Sequence, residues 1–273
     1  MSSLFIVGTP IGNLKDITLR ALEILRSVDL IAAEDTRVSL KLLKHYEIKA
    51  KMISYHEHNK RSSGEKIIKA LAEGLDVALI TDAGLPGISD PGEDIIREVI
   101  EEGFDVVSIP GPSASLTALQ LSGLSTGKFI FEGFLPPKEV ARRKALEGIK
   151  ENKYTTIIYE SPHRVISLLE DMEKVLGDRK ISLSRELTKK FEETFRGTVK
   201  EALEYFKDGI KGEIVICLEP CTEEEVPIES IIGEIQDFIR AGGSKRDAAA
   251  EFSEKYGIPK NKLKKIIQGE IDV

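Results

Sequence analysis

Short apolar runs alternate with helical periodicity over the first part of the chain. Leu4-Phe5-Ile6-Val7, Leu30-Ile31-Ala32-Ala33, Met52-Ile53-Ser54-Tyr55, Val77-Ala78-Leu79-Ile80 and Phe104 to Ile109 are short, continuous and bounded by polar or Gly/Pro residues, as buried strands are. Between them apolar residues recur at helical spacing: Leu19, Leu22 and Leu25 behind the capping residues Asp16 and Thr18, then Val38 with Leu42 and Leu43, Ile67 and Ile68 with Leu71, and Ile95 and Ile96 with Val99 and Ile100. Strands separated by helices predict a mostly parallel sheet covered on both faces. After the Gly/Ser-rich stretch Leu121–Gly127, a second α/β region is predicted, with strands at Phe129–Phe131, Thr155–Tyr159, Ile181–Ser184 and Ile214–Leu218. The segment Glu192–Gly197 is expected to pair beside the last of these.

The pattern changes again at Cys221. Residues 221–239 contain acidic side chains and no Lys or Arg, whereas 240–268 carry Arg240, Lys245, Arg246, Lys255, Lys260, Lys262, Lys264 and Lys265. Gly242-Gly243-Ser244, an Ala-rich helix, Gly257-Ile258-Pro259 and then Leu263, Ile266 and Ile267 read as a helix–turn–helix. The expected organisation is therefore an α/β domain over 1–120, a second α/β domain over 121–221, and an acidic linker with a basic helical module over 222–273.

Three Gly/Pro-rich loops follow strands of the first domain: Gly8-Thr9-Pro10-Ile11-Gly12-Asn13, Thr81 to Gly92, and Pro110 to Ser115. In a parallel sheet all three fall at carboxyl ends, where open α/β folds bind ligands. No G-x-G-x-x-G and no G-K-[ST] is present, which argues against dinucleotide and nucleoside triphosphate binding. The Asp82 loop holds aspartates and no Lys or Arg, so it suits a neutral or cationic ligand with hydroxyls better than a phosphate.

Composition narrows the picture little. The formal net charge of −7 excludes an overall electrostatic sponge for nucleic acid, although the basic segment is distinct. The two cysteines, Cys217 and Cys221, read as free thiols in a reducing compartment. No apolar run approaches membrane-span length, and the N-terminus enters a strand without a signal-peptide pattern, so a cytoplasmic protein is expected. His56 and His58 stand two apart without a matching third ligand, so no metal is expected.

V-G-T-P-I-G-N at 7–13, A-E-D-T-R at 33–37, S-Y-H-E-H-N at 54–59, T-D-A-G-L-P-G-I-S-D-P-G at 81–92, I-P-G-P-S-A at 109–114, F-E-G-F-L-P at 131–136, Y-E-S-P-H-R at 159–164 and G-E-I-V-I-C-L-E at 212–219 occur in this order. Together they resemble the 16S ribosomal RNA (cytidine-2′-O)-methyltransferase family, of the tetrapyrrole-methylase-like class of S-adenosylmethionine enzymes. The resemblance implies a cofactor cleft between the two α/β domains, a homodimer, and 2′-O-methylation of a cytidine in the decoding centre of the small ribosomal subunit. It implies cofactor contacts from Pro10, Asp82, Ala83, Gly84, Leu85, Ser113, Ala114 and Tyr159.

The polar motifs supply the rest of the expected site. Glu34, His163 and Glu186 are the shortlist for a base that would aid a poorly nucleophilic ribose hydroxyl. Asp35, Arg37, His56, His58, Arg164, Arg185 and Lys189 are expected at the RNA. The basic tail is expected to add salt-dependent RNA affinity. Two rivals remain at this level: the same cofactor with a tetrapyrrole or protein acceptor, and a non-catalytic nucleic-acid-binding ligand sensor.

Overall fold

A computed structural model describes residues 2–221, 228–256, 258 and 260–269. The chain divides into a unit over Met1–Pro220 and a smaller one over Cys221–Val273.

The larger unit opens with β1 (Ser3–Val7), α1 (Leu19–Ser27), β2 (Leu30–Ala33), α2 (Thr36–His45), β3 (Lys51–Ser54), α3 (Lys60–Ala72), β4 (Val77–Ile80), α4 (Gly92–Glu101), β5 (Asp105–Ile109) and α5 (Ala114–Ser122). The strands form one parallel sheet in the order β3-β2-β4-β1-β5. Apolar clusters cover both faces, one around Leu25, Ile31 and Leu43 and the other around Ile67, Leu71 and Ile95. This is why β4, whose four residues are all buried, reads as an unbroken apolar run. The order brings the carboxyl ends of β2, β4, β1 and β5 side by side, so the loops that begin at Glu34, Thr81, Gly8 and Pro110 share one edge of the sheet.

A second sheet follows from β6 (Phe129–Phe134), α6 (Glu139–Ile149), β7 (Thr155–Glu160), α7 (Val165–Leu176), β8 (Lys180–Arg185), β9 (Glu193–Thr198), α8 (Val199–Tyr205) and β10 (Ile214–Leu218). Its order is β6-β7-β10-β8-β9. Only β6 and β7 are parallel; β10 runs antiparallel to both β7 and β8. The expected pairing of 192–197 beside the last strand is corrected: β9 pairs antiparallel with β8, because the short connection after Arg185 folds the chain back as a hairpin. In the register of the central strands, Ile214 lies opposite both Glu160 and Arg185. The end of β7, the end of β8 and the start of β10 therefore meet at one edge.

Helix α5 joins the two sheets. Its Ala118 and Leu119 pack with Ile11 of the β1 loop and with Ile157, Val215 and Cys217 of the second sheet. Burial pushes the Cys217 thiol up to about 12, which leaves it an inert packing group. Close contact also holds the first-sheet loops together. The backbones of Thr9 and Gly84 exchange hydrogen bonds of 2.8 and 3.1 Å, and a Cβ on Gly8 would lie 2.7 Å from Gly111 Cα.

The smaller unit contains α9 (Ile228–Arg240), α10 (Lys245–Tyr256) and α11 (Lys260–Gly269), with its own core of Ile231, Ile235, Ala248, Ala249, Phe252, Ile258, Leu263 and Ile267. Residues 222–227 of the acidic stretch, and Gly257 and Pro259 of the expected turn, lie outside the described residues.

Candidate active site

Within the larger unit, the two sheet edges enclose a cavity of about 360 Å³. The first sheet contributes Ile11, Glu34, the strip Thr81–Leu85, Asp90, Ser113 and Ala114; the second contributes Phe134, Tyr159–Pro162 and Glu213–Val215. The size is that of a small-molecule site. Among the described residues five carboxylates line it (Glu34, Asp82, Asp90, Glu160 and Glu213) and no Lys or Arg does.

Each carboxylate is held differently. Glu34, just past β2, accepts from the Thr81 hydroxyl at 2.5 Å and the Asp82 N–H at 3.3 Å. The Asp82 carboxylate accepts from the Asp35 N–H at 3.1 Å. Burial raises its pKa above the ordinary 3.8; the Asp35 N–H pulls the other way, and the neighbouring Glu34 and Asp35 charges add to the rise. Asp90 braces its own loop, accepting from Gly87 N–H at 2.8 Å and Gly92 N–H at 2.7 Å, and burial raises it as well. Glu160 is fully buried and paired with Arg164 at 3.0 Å.

Of the cofactor positions expected from sequence, Asp82, Ala83, Gly84, Leu85, Ser113, Ala114 and Tyr159 line this cavity, and Glu34 joins them. Ser113 is the N-cap of α5, and the Tyr159 hydroxyl accepts from the Ser115 N–H at 3.0 Å, fastening the second sheet to that helix start. Pro10 lines an adjoining cavity instead.

The expected RNA-facing and basic residues are less convergent. Asp35 caps α2 and pairs with Arg37 at 2.6 Å; the bonds from Arg37 lower its carboxyl to about 2. The Arg37 side chain is 88% exposed, at the rim beside Asp82. Lys189 pairs with Glu186 at 2.9 Å and Glu213 at 3.3 Å beside the adjoining cavity. Arg185 turns to Glu193 at 2.6 Å. Arg164 donates to the Leu135 carbonyl at 2.7 Å and to Glu160, bracing the second-sheet loops. His163 is exposed at the turn before α7. His56 and His58 stack edge to face at 6.0 Å in the loop after β3, and neither lines the main cavity.

Glu213, Asp90, Phe134 and Glu160 were missed from sequence, although all lie within quoted motifs. Among the described residues no cluster of His, Cys, Asp and Glu is arranged to hold a metal.

A profile of the tetrapyrrole (corrin/porphyrin) methylases matches residues 3–203. The solved structure of a diphthine synthase superposes with a TM-score of 0.63 at 17% identity, over 80% of this chain and 90% of that one, and so shares the fold. The class is therefore that of S-adenosylmethionine-dependent methyltransferases with the tetrapyrrole methylase fold. The ribosomal RNA small subunit methyltransferase I of Halalkalibacterium halodurans is 45% identical, over 98% of this chain and 95% of its own length. That of Thermotoga maritima is 47% identical and matches 80% of this chain over 98% of its own length; the unmatched fifth of this chain is the size of the helical unit. The chain belongs to the family of small-subunit ribosomal RNA methyltransferases I.

The donor set of the main cavity fits the cofactor of this class. S-adenosylmethionine carries a sulfonium and an ammonium against one carboxylate, and hydroxyls on its ribose. An acid-lined cavity without cations suits that net positive charge. Asp82 would face the hydroxyls or a cationic group of such a ligand, and Ile11, Leu85 and Val215 give the cavity apolar surface.

Proposed function

We propose that the protein transfers a methyl group from S-adenosylmethionine to the ribose 2′-hydroxyl of a cytidine in 16S ribosomal RNA, with the assembled small subunit as acceptor. The observation that carries the reading is the 45% identity, over nearly the full chain, to a relative named for small-subunit ribosomal RNA methylation. The acid-lined cavity supports the donor half of the reaction. A target in the decoding centre, a homodimer and action in the cytoplasm belong to the same proposal.

S-adenosylmethionine supplies an activated methyl on a positively charged sulfur. The chain's own task is to bind it, align it and admit the hydroxyl, and positioning of this kind supplies much of the acceleration. The strip 82–85 and the Ser113-Ala114 start of α5 hold the donor from the first sheet; Tyr159 and the 213–215 strand hold it from the second. Glu34 is the expected group for receiving the hydroxyl proton, because its carboxylate stands at the cavity wall beside Asp82. Glu186 is already engaged by Lys189, whose bond keeps its carboxyl below the ordinary range.

Methyl-labelled cofactor offered in parallel to small subunits, to naked 16S RNA and to a tetrapyrrole tests the acceptor class. Label in the subunit RNA supports the proposal. Label in the tetrapyrrole alone moves the enzyme to the other branch of its class, and label in none of the three overturns the proposed acceptor.

A further inference from the structure

A second cavity of about 350 Å³ adjoins the first and shares Ile11, Thr81, Asp82, Ala83 and Glu213 with it. Its remaining wall comes from the β1 loop (Pro10, Gly12 and Leu14), from α2 and from Lys189. The two cavities differ in charge. Among the described residues the first is lined by carboxylates without a cation, whereas the second sets Lys41 and Lys189 beside the shared Asp82 and Glu213, with Lys189 already paired to Glu213 and Glu186.

Two further features mark this cavity. Ser39, one turn into α2, lines it and is only 3% exposed, yet among the described residues its hydroxyl meets no hydrogen-bond partner. Buried hydroxyls are ordinarily satisfied, and one left open beside a cavity is available to a ligand's polar atom. Lys189 is also deliberately placed. A Cβ on Gly12 would lie 2.6 Å from Lys189 Cγ and 2.8 Å from the Leu187 carbonyl, so only glycine lets the 186–189 loop close over the β1 loop. That loop is tied down by the Asn13 N–H donating to the Thr188 hydroxyl at 3.0 Å.

We propose that this second cavity is the acceptor subsite: it takes the ribose-phosphate of the target nucleotide, with Lys41 facing phosphate and Ser39 bonding a polar atom of the nucleotide. The inference rests on the RNA-methyltransferase reading above. Charge sorts the two substrates. The net cationic donor suits the carboxylate cavity and the anionic phosphodiester suits the lysine cavity. They meet at the shared wall of Ile11, Asp82 and Glu213, where the methyl passes from sulfur to the ribose oxygen. In that step the carbon–sulfur bond breaks as the carbon–oxygen bond forms, the bond's electron pair stays on the neutral thioether, and the hydroxyl proton leaves to Glu34, which bonds Thr81 and the Asp82 N–H of that wall.

The test uses Lys41→Ala, Lys41→Arg and Ser39→Ala in the full chain, assayed with unmodified small subunits at several salt concentrations, alongside calorimetric S-adenosylmethionine binding. Lys41→Ala is expected to raise KM for subunits several-fold and to flatten the log–log salt dependence of kcat/KM by about one phosphate's worth, a slope change of roughly 0.7 to 0.9. Cofactor Kd should stay at the wild-type value, and Lys41→Arg should restore both readouts. Ser39→Ala removes a hydroxyl that bonds nothing in the protein, so Tm should hold while kcat/KM toward subunits falls several-fold. Wild-type KM and salt slope in Lys41→Ala, or full kcat/KM in Ser39→Ala, overturns the subsite while leaving the RNA reading intact. A wild-type enzyme that methylates no ribosomal RNA overturns that reading itself.

Discussion

Asp82 concentrates the chemistry at the scale of single residues. It stands on the wall common to both cavities, its carboxylate raised mainly by burial. A hydrogen bond to a charged group contributes about 1.5–3 kcal/mol, so Asp82→Ala should weaken S-adenosylmethionine binding about ten- to hundredfold by calorimetry. The same residue predicts a pH dependence. A cationic ligand favours the ionised carboxylate, so bound cofactor lowers a pKa that burial has raised above 3.8 in the free protein. Binding then releases a proton between the two values. Affinity should rise with pH through that window and level off above it, and calorimetry in buffers of different ionisation enthalpy should detect the released proton in wild type and none in Asp82→Ala. Asp82 was legible in the sequence because it sits in a Gly/Pro-dense loop directly after an apolar strand. Ser39 and Lys41 were not, since a Ser and a Lys on an amphipathic helix look like ordinary punctuation until α2 is seen packed beside the β1 loop.

The site at the scale of elements is a consequence of strand order. Placing β4 and β1 at the centre of the first sheet aligns the loops after β2, β4, β1 and β5, and the alternation of strands and helices was enough to foresee a shared crevice on that side. The opposite wall was less legible. Glu213 reaches the cavity through the antiparallel register of β10 against β7 and β8, and side-chain periodicity does not reveal which strands pair or how they are offset. The same blindness explains β9, which pairs with its hairpin neighbour rather than with β10. One contact between the two walls, that of the 186–189 loop with the β1 loop, depends on Gly12. Gly12→Ala should force the 186–189 loop outward, where Glu186 and Thr188 already hold left-handed backbone at φ 50° and 65°. Overpacking of this kind costs about 1–3 kcal/mol, readable as a lower urea midpoint at unchanged m-value. An unchanged midpoint would show that the loop yields freely.

Charge and construction are divided across the whole molecule. The net −7 belongs to a chain whose last helices expose Arg240, Lys245, Arg246, Lys260 and Lys265. The helical unit has its own apolar core, and the cofactor-sized cavity is built wholly within Met1–Pro220. Deleting 226–273 should leave cofactor affinity unchanged and raise KM for small subunits, with the loss largest at low salt and shrinking as salt rises. Full activity without the tail at low salt would make the basic helices an ordinary solvated surface.

The central claim is that the acid-lined crevice delivers its methyl group to a ribose oxygen of cytidine in small-subunit RNA. The most direct measurement incubates unmodified small subunits with methyl-labelled S-adenosylmethionine and either the wild-type protein or Asp82→Ala, digests the 16S RNA to nucleosides, and separates the labelled product. A single labelled nucleoside, 2′-O-methylcytidine, is expected from wild type and should be strongly reduced with Asp82→Ala at limiting cofactor. Label on a base, on a different nucleoside, or on no RNA at all would contradict it.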